Sequence, residues 1–517
     1  MRKSRVILAL LVIAAVQALP LPAGTYNVRD YGAKGDRAAN DRAAIQAALD
    51  ACGNGGGGIV VLPAGDYLSG RLQLHSDVTL LLEPGATLWA STDPKDYDGS
   101  RHLLMAQDAE NVAVTGDGRI HGQGTGDLGR GRGPKELPAF RTGILLFENC
   151  RNVRIRDVSI LYSDAWTLHL RRCDNVVIEG VTILNNYWRT NSDGIDPNSC
   201  RNVRIANCHI VAGDDCIVLK ATEPYPCENV VVTNCTLETI ATALKLGTES
   251  RGDFRNIHFS NCTITNSTVG VGFFMKDGAT MEGVSFANLV IDTTTSSPHA
   301  VAPIFMDIER RNPDSKIGRI RDVSFRDIFV RSGAGITVQG MPESPIENLS
   351  IANLTFRVVA PQDYSRRSKH VGGRRTTRDE RDTLYVRQPS YCTVAHVKHL
   401  AVENLRVLMA DEDFRKYDRS AFSGHAIEDV LLRHISRTPG GGPENAPVIA
   451  LQNARRALIT ECQTAGAPFF LHLRGPETRE IRLVGNEGLE GLGRVAQESD
   501  VPEGALSATE SPGRGVR

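Results

Sequence analysis

Asn152-Val-Arg-Ile, Asn175-Val-Val-Ile, Asn202-Val-Arg-Ile, Asn229-Val-Val-Val and Asn256-Ile-His-Phe are five copies of one phrase. Their first positions are separated by 23 and then three times by 27. Each is followed by a second short alternating run such as Val158-Ser-Ile. A period of roughly 20–30 residues made of short strands without a helix is the mark of a β-solenoid in which each repeat forms one coil. The phrase returns more loosely at Gly283, Asp322, Asn348, His399, Asp429, Ala457 and Glu480. The expected fold is therefore all-β: a parallel β-helix of ten or more coils.

Stacking in register places equivalent residues about 4.8 Å apart on successive rungs. The cysteines follow that rule. Cys208, Cys235 and Cys262 share one position of the repeat, where other coils carry Val158, Val181 and Leu289, and Cys150, Cys173, Cys200 and Cys227 share another. Cysteine alternating with Val and Leu behaves as a small apolar core residue, so stacked thiols are favoured over a disulfide framework. The odd count of 11 agrees.

Working outward, Asp41 to Asp50 has an amphipathic helical pattern with Asp41 placed to cap it. This short N-terminal capping helix would cover the open edge of the first coil. Residues 1–18 carry Arg2, Lys3 and Arg5, an apolar run from Val6 to Val16 and Ala18 as a cleavage position, which reads as a signal peptide of a secreted or periplasmic protein. No later stretch approaches the ~20 apolar residues of a membrane span. The expected layout is 1–18 signal peptide, 24–75 cap and first coil, 76–490 parallel β-helix and 491–517 a disordered Glu-, Ser-, Pro- and Gly-rich tail. Insertions are expected at 122–140 and at 362–382, the latter rich in arginine.

In the 517-residue chain, Lys and Arg number 59 against 60 Asp and Glu, so no overall field draws in nucleic acid or an anionic membrane. A monomer is expected. Gly124-Thr-Gly-Asp-Leu-Gly129 matches a dinucleotide-loop pattern, but no helical periodicity follows it, and no cofactor is expected.

Chemistry concentrates in Asn191-Ser-Asp193-Gly-Ile-Asp196-Pro and, one coil later, Gly213-Asp214-Asp215-Cys216. The step from Asp193 to Asp214 is close to one full turn, so Asp193, Asp214 and Asp215 should converge on one face. Like charges at that range raise at least one pKa, as a general acid requires. Glycosidic hydrolysis uses such a pair, one carboxyl protonating the leaving oxygen and another activating water or attacking. Solenoid turns also use Asp and Gly, but a triple cluster favours the chemical reading.

These two motifs, with the opening Tyr31-Gly-Ala-Lys-Gly-Asp36 and Ala165-Trp166-Thr-Leu-His169, resemble glycoside hydrolase family 28, the polygalacturonases and rhamnogalacturonan hydrolases, over residues 26 to 360. The resemblance implies a right-handed β-helix, inversion at the anomeric centre, no metal, and a pectic polysaccharide or oligosaccharide as partner. It implies Asp214 as general acid and Asp193 with Asp215 activating water. The chain departs from the polygalacturonase pattern twice. Ala241-Thr242-Ala243 stands where those enzymes carry Gly-His-Gly, and Phe274-Met275-Lys276 where they carry Arg-Ile-Lys. A lone ammonium cannot form the bidentate fork by which arginine holds a carboxylate. Phe274 should thus favour a less polar sugar on the leaving side, as in a rhamnogalacturonan-type enzyme, and the insertions lean towards exo action. Lys276, Lys245 and Lys220 are candidates to hold a substrate carboxylate or are solvated rung lysines. Asn191 belongs to the motif. Trp166, Tyr187 and Trp188 either stack on sugar or pack inward, and Arg310 with Arg311 either reaches the cleft or is a solvated loop charge. The rivals are a Ca²⁺-dependent polysaccharide lyase and a non-catalytic carbohydrate-binding β-helix.

Overall fold

A computed structural model describes residues 24–124, 140–293, 301–359, 370–371, 374–375, 390–409, 419–438, 446–463, 469–486 and 494–509. The signal-peptide segment 1–18, residues 125–139 of the first insertion and nearly all of 362–382 lie outside them.

The chain forms a right-handed parallel β-helix. Strands of successive coils pair in parallel register on three faces. One face stacks Arg151–Arg156 on Asp174–Glu179, Arg201–Ala206, Cys227–Thr233 and Phe254–Ser260. The next stacks Ser159–Leu161, Thr182–Leu184, His209–Ala212 and Thr236–Thr239. The third, called the site face below, stacks Gly143–Glu148, Leu168–Arg171, Ile195–Asn198, Ile217–Ala221, Thr242–Ser250, Val269–Met275 and Ala302–Ile308. Alternate residues of each strand point into one continuous core.

The recurring asparagine of the phrase is a corner. Asn152, Asn175, Asn202, Asn229 and Asn256 all have φ between 54° and 56°, a left-handed conformation that Asn tolerates better than most residues. Their side chains form a ladder: Asn175 Nδ2 donates to Asn152 (2.7 Å), Asn229 to Asn202 (3.1 Å) and Asn256 to Asn229 (3.1 Å). Each of these corners thereby bonds its side-chain amide to the corner below. At the looser end the corner is Arg456, one residue before the expected Ala457, and its guanidinium forks onto Asp429 at 2.6 and 3.0 Å. Inside the core Phe286 lies between Phe259 and Phe325, with ring centroids 4.8 and 5.0 Å away and planes nearly parallel. All eleven cysteines are free and buried, as the stacked-thiol reading expects.

Helix Arg42–Asn54 buries Ile45, Ala48, Leu49 and Cys52 against the first strands and so covers the end of the stack. Asp41 occupies the N-cap position without a side-chain cap bond. Its carboxylate instead accepts the peptide N–H groups of Lys34 (2.7 Å) and Gly35 (3.0 Å), because the preceding turn offers two donors at once. The segment expected to be a disordered tail is also different. Val495–Gln497 and Leu506–Thr509 pair with Leu471–Arg474 and Arg479–Val484 and extend the stack, since an unpaired terminal strand edge is a ready template.

Candidate active site

Ile195 and Ile217 are partners in register on adjacent rungs of the site face. Asp193 and Asp215 each stand two residues earlier, so they occupy equivalent places one rung apart, and the Gly194 N–H donates to the Asp215 carbonyl at 2.9 Å. Asp214 sits beside them. One carboxylate oxygen from each of the three lies within 4.8 Å of the others. The register therefore makes Asp215, not Asp214, the residue stacked on Asp193.

The loop before Asp193 is fastened on several sides. Arg189, buried, donates to Asp164, which also meets Arg141 at 3.4 Å. The Ser192 hydroxyl donates to Arg189 O (2.7 Å) and accepts from Gly213 N–H (3.1 Å). Gly213 is needed here, because a Cβ would lie 2.3 Å from Arg189 O and 2.4 Å from Asn186 O. Asn191, at φ 56°, then aims its N–H at Asp214 Oδ2 (3.0 Å).

Two buried lysines divide the carboxylates unequally. Lys220, 2% exposed, lies 3.5 Å from Asp193, 3.5 Å from Asp196 and 3.7 Å from Glu249, with its ammonium 4.6 Å from the Trp166 ring centre. Burial opposes its charge, but Asp193, Asp196 and Glu249 outweigh that and hold its pKa above the ordinary range. One ammonium cannot neutralise three carboxylates. Burial, then Asp196 and Asp214, pushes Asp193 well above the usual carboxylate range, and burial pushes Asp196 up to about 7 against the pull of Lys220. Lys245, by contrast, pairs among the described residues with Asp215 alone, Nζ to Oδ2 at 2.5 Å, while Thr242 N–H donates to the other oxygen at 3.2 Å. Asp214 is raised by burial and by Asp215, more than the Asn191 N–H and the lysines lower it. His169, in register with Asp196, is pushed down to about 3 by burial and is neutral at physiological pH.

The structure thus brings Asp193, Asp214, Asp215, Asn191 and Lys245 together, with Trp166 at the edge through Lys220. Trp166 is half-buried and meets His169 edge-on at 4.8 Å. The remaining candidates have other company. Phe274 is buried against Phe305 (5.2 Å) and does not present its ring as a sugar platform. The Lys276 ammonium donates to Glu309. Arg310 donates to Ser315 O (2.6 Å) and lies 3.7 Å from Glu343, and Arg311 forks onto Asp277 at 2.6 and 2.7 Å. Tyr187 donates to Asn266 O at 2.7 Å. Glu249, Glu309, Asp277 and the Asp164–Arg189 pair were not singled out from the sequence. The available signal was position on or just after a site-face strand, where side chains directed away from the core share one surface.

The model of the family described as "Glycosyl hydrolases family 28" matches residues 52–365. A probable polygalacturonase of Vitis vinifera is 33% identical over 241 residues, 43% of this chain and 48% of that protein. The endo-polygalacturonase of Pectobacterium carotovorum is 30% identical over 204 residues, 34% of this chain and 50% of that protein. The chain spans about half the length of these curated relatives. Among solved structures, the exopolygalacturonase of Thermotoga maritima superposes with a TM-score of 0.57 at 23% identity, covering 65% of this chain and 88% of that one. The family 28 exopolygalacturonase of Yersinia enterocolitica gives 0.60 at 19%, covering 79% and 78%. At these identities the likeness to solved structures is one of fold.

Proposed function

The chain belongs to glycosyl hydrolases family 28, and on that premise we propose that it hydrolyses glycosidic bonds in an α-galacturonide-containing pectic polysaccharide or its fragments. The observation that carries this is the convergence of Asp193, Asp214 and Asp215 within 4.8 Å on one face. Asp214, only half-buried and raised in pKa, is the general acid that protonates the leaving oxygen. Asp215, with Asp193 on the rung below, takes the proton of the attacking water. The family supplies the inverting course. A 4.8 Å spacing is nearer the ~5 Å of retaining pairs than the ~6.5–9.5 Å of inverting ones, so the product anomer is a direct test.

On the leaving side we propose a neutral sugar. The cations that would hold a uronate there already face acids, Lys276 with Glu309 and Arg311 with Asp277. We further propose exo action on an exported monomer, tested by release of end sugars ahead of viscosity loss and by an N-terminus after Ala18. Incubation with defined pectic oligosaccharides, products resolved by chromatography and NMR, should give a saturated end of inverted configuration. A retained anomer overturns the inverting mechanism, and no turnover on any pectic glycan overturns the hydrolase reading.

The carboxylate triple also favours a second reading, a cation-dependent lyase. Lys245 and Lys220 set against it, because ammonium groups already sit on Asp215 and Asp193. Elimination would leave an ultraviolet-absorbing double bond and stop on chelation.

A further inference from the structure

The enclosure of Lys245 carries a consequence for the division of labour between Asp214 and Asp215. Its partner in register on the rung below is Val218 and on the rung above Gly272, neither of which offers a polar side chain. A Cβ at Gly272 would lie 2.6 Å from Phe274 Cε2 and 2.9 Å from Thr242 Cγ2. The missing side chain is therefore what lets the Phe274 ring fold back across this rung. Phe305, Val269 and Ala302 back it on the other side. The ring centre stands 5.2 Å from the Lys245 ammonium, which thus lies between an aromatic face and the Asp215 carboxylate and is 1% exposed.

We propose that Lys245 is a positioning residue that, sealed against Asp215 by Phe274, keeps Asp215 as the carboxylate that accepts the proton of the attacking water and so leaves proton donation to Asp214. The inference rests on the hydrolase reading. In the step it serves, the water oxygen bonds to the anomeric carbon as the glycosidic C–O bond breaks. One water proton passes to Asp215, and the Asp214 proton passes to the leaving oxygen. The remaining charged and titratable groups around Asp215, among the described residues, are Asp214 and Cys216 on its own segment and Asp193, Asp196 and Lys220 on the site-face rungs beside it. Lys220 serves three acids, whereas Lys245 serves one. A one-to-one pair shielded from water is screened little by salt, and removing the cation leaves a buried charge that must take up a proton.

The test is the pH profile of kcat/KM for Lys245→Met and Lys245→Arg on a pectic oligosaccharide that the parent protein cleaves. Loss of an opposite charge at this range should move the ascending limb of the Met variant up by ~1–3 pH units. At neutral pH kcat should then fall at least tenfold, with KM within about threefold because the ammonium does not meet substrate. The Arg variant should keep the limb near its original place. If the Met variant does not fold, Lys245→Gln keeps a donor without the charge and should show the same shift. A raised KM with an unmoved limb would make Lys245 a substrate ligand and overturn the proposal. Turnover by the parent with an unshifted limb removes this inference alone. No turnover by the parent removes the hydrolase reading and this inference with it.

Discussion

The corner ladders and the site face obey the same rule, that each side chain lies on its counterpart one rung away, with opposite outcomes. On the corners, Asn229 stacks on Asn202 and its amide both donates and accepts. In the core, Phe286 between Phe259 and Phe325 gains dispersion and buries apolar surface. On the site face, Asp193 and Asp215 occupy equivalent places and Asp196 lies nearby, so stacking brings like charges together out of water. The architecture that stabilises neutral repeats thus raises carboxyl pKa values where the repeated residue is acidic. Reactivity here is a by-product of register, tempered by Lys220 and Lys245.

The contrast breaks most visibly if the two regions are exchanged in kind. Asp193→Asn should lower turnover by ~10²–10⁴-fold while leaving the melting temperature equal or higher, because Lys220 still faces Asp196 and Glu249. Turnover assays beside calorimetry check this, and a large loss of stability would contradict it. Phe286→Ala should do the reverse. It should cost ~3–5 kcal/mol in denaturant unfolding with turnover per folded molecule unchanged.

A pH titration sharpens the same contrast. A carboxyl whose folded pKa lies above its unfolded value binds more protons when folded, so it makes stability decline as pH rises through the interval between the two. For Asp196 that interval runs from the ordinary value of 3.8 to about 7, and Asp193 acts in the same direction. Melting temperature should fall across that window, and Asp196→Asn should flatten the fall. An unchanged slope would show that Asp196 is ionised throughout. The smallest effect belongs to the ladder. Asn229→Ala loses two amide bonds and sets Ala at φ 56°, for a cost of ~1–2 kcal/mol by chemical denaturation.

The repeat was legible because corner, strand and core positions each impose a residue type. Asn152 to Asn256 mark left-handed corners, and the cysteines mark core sites that accept a small apolar group. The carboxylate triple was legible for the same reason, two motifs one rung apart. Pairings that depend on rung length were not. Lys245 meets Asp215 from a full-length rung, whereas Asp193 meets Asp215 across a shorter one, so no single spacing exposes both. Glu309 reaches Lys276 across a longer coil, and Asp41 forsakes its cap for two donors that a turn happens to present. Phe274 read as a sugar platform because its enclosure depends on Gly272, an absence of side chain one strand position away. The paired strands within 494–509 were hidden by a composition rich in Glu, Ser and Pro.

The division of roles between Asp214 and Asp215 carries the mechanism, and leaving-group dependence tests it most directly. Asp214→Asn and Asp215→Asn would each be assayed on a pectic oligosaccharide and on an aryl α-galacturonide whose phenolate departs without a proton. Asp214→Asn should be slowed ~10²–10⁴-fold on the oligosaccharide yet cleave the aryl substrate at nearly the parent rate, whereas Asp215→Asn should be slow on both. An Asp214→Asn variant equally impaired on both substrates, with Asp215→Asn spared on the aryl glycoside, would contradict the assignment.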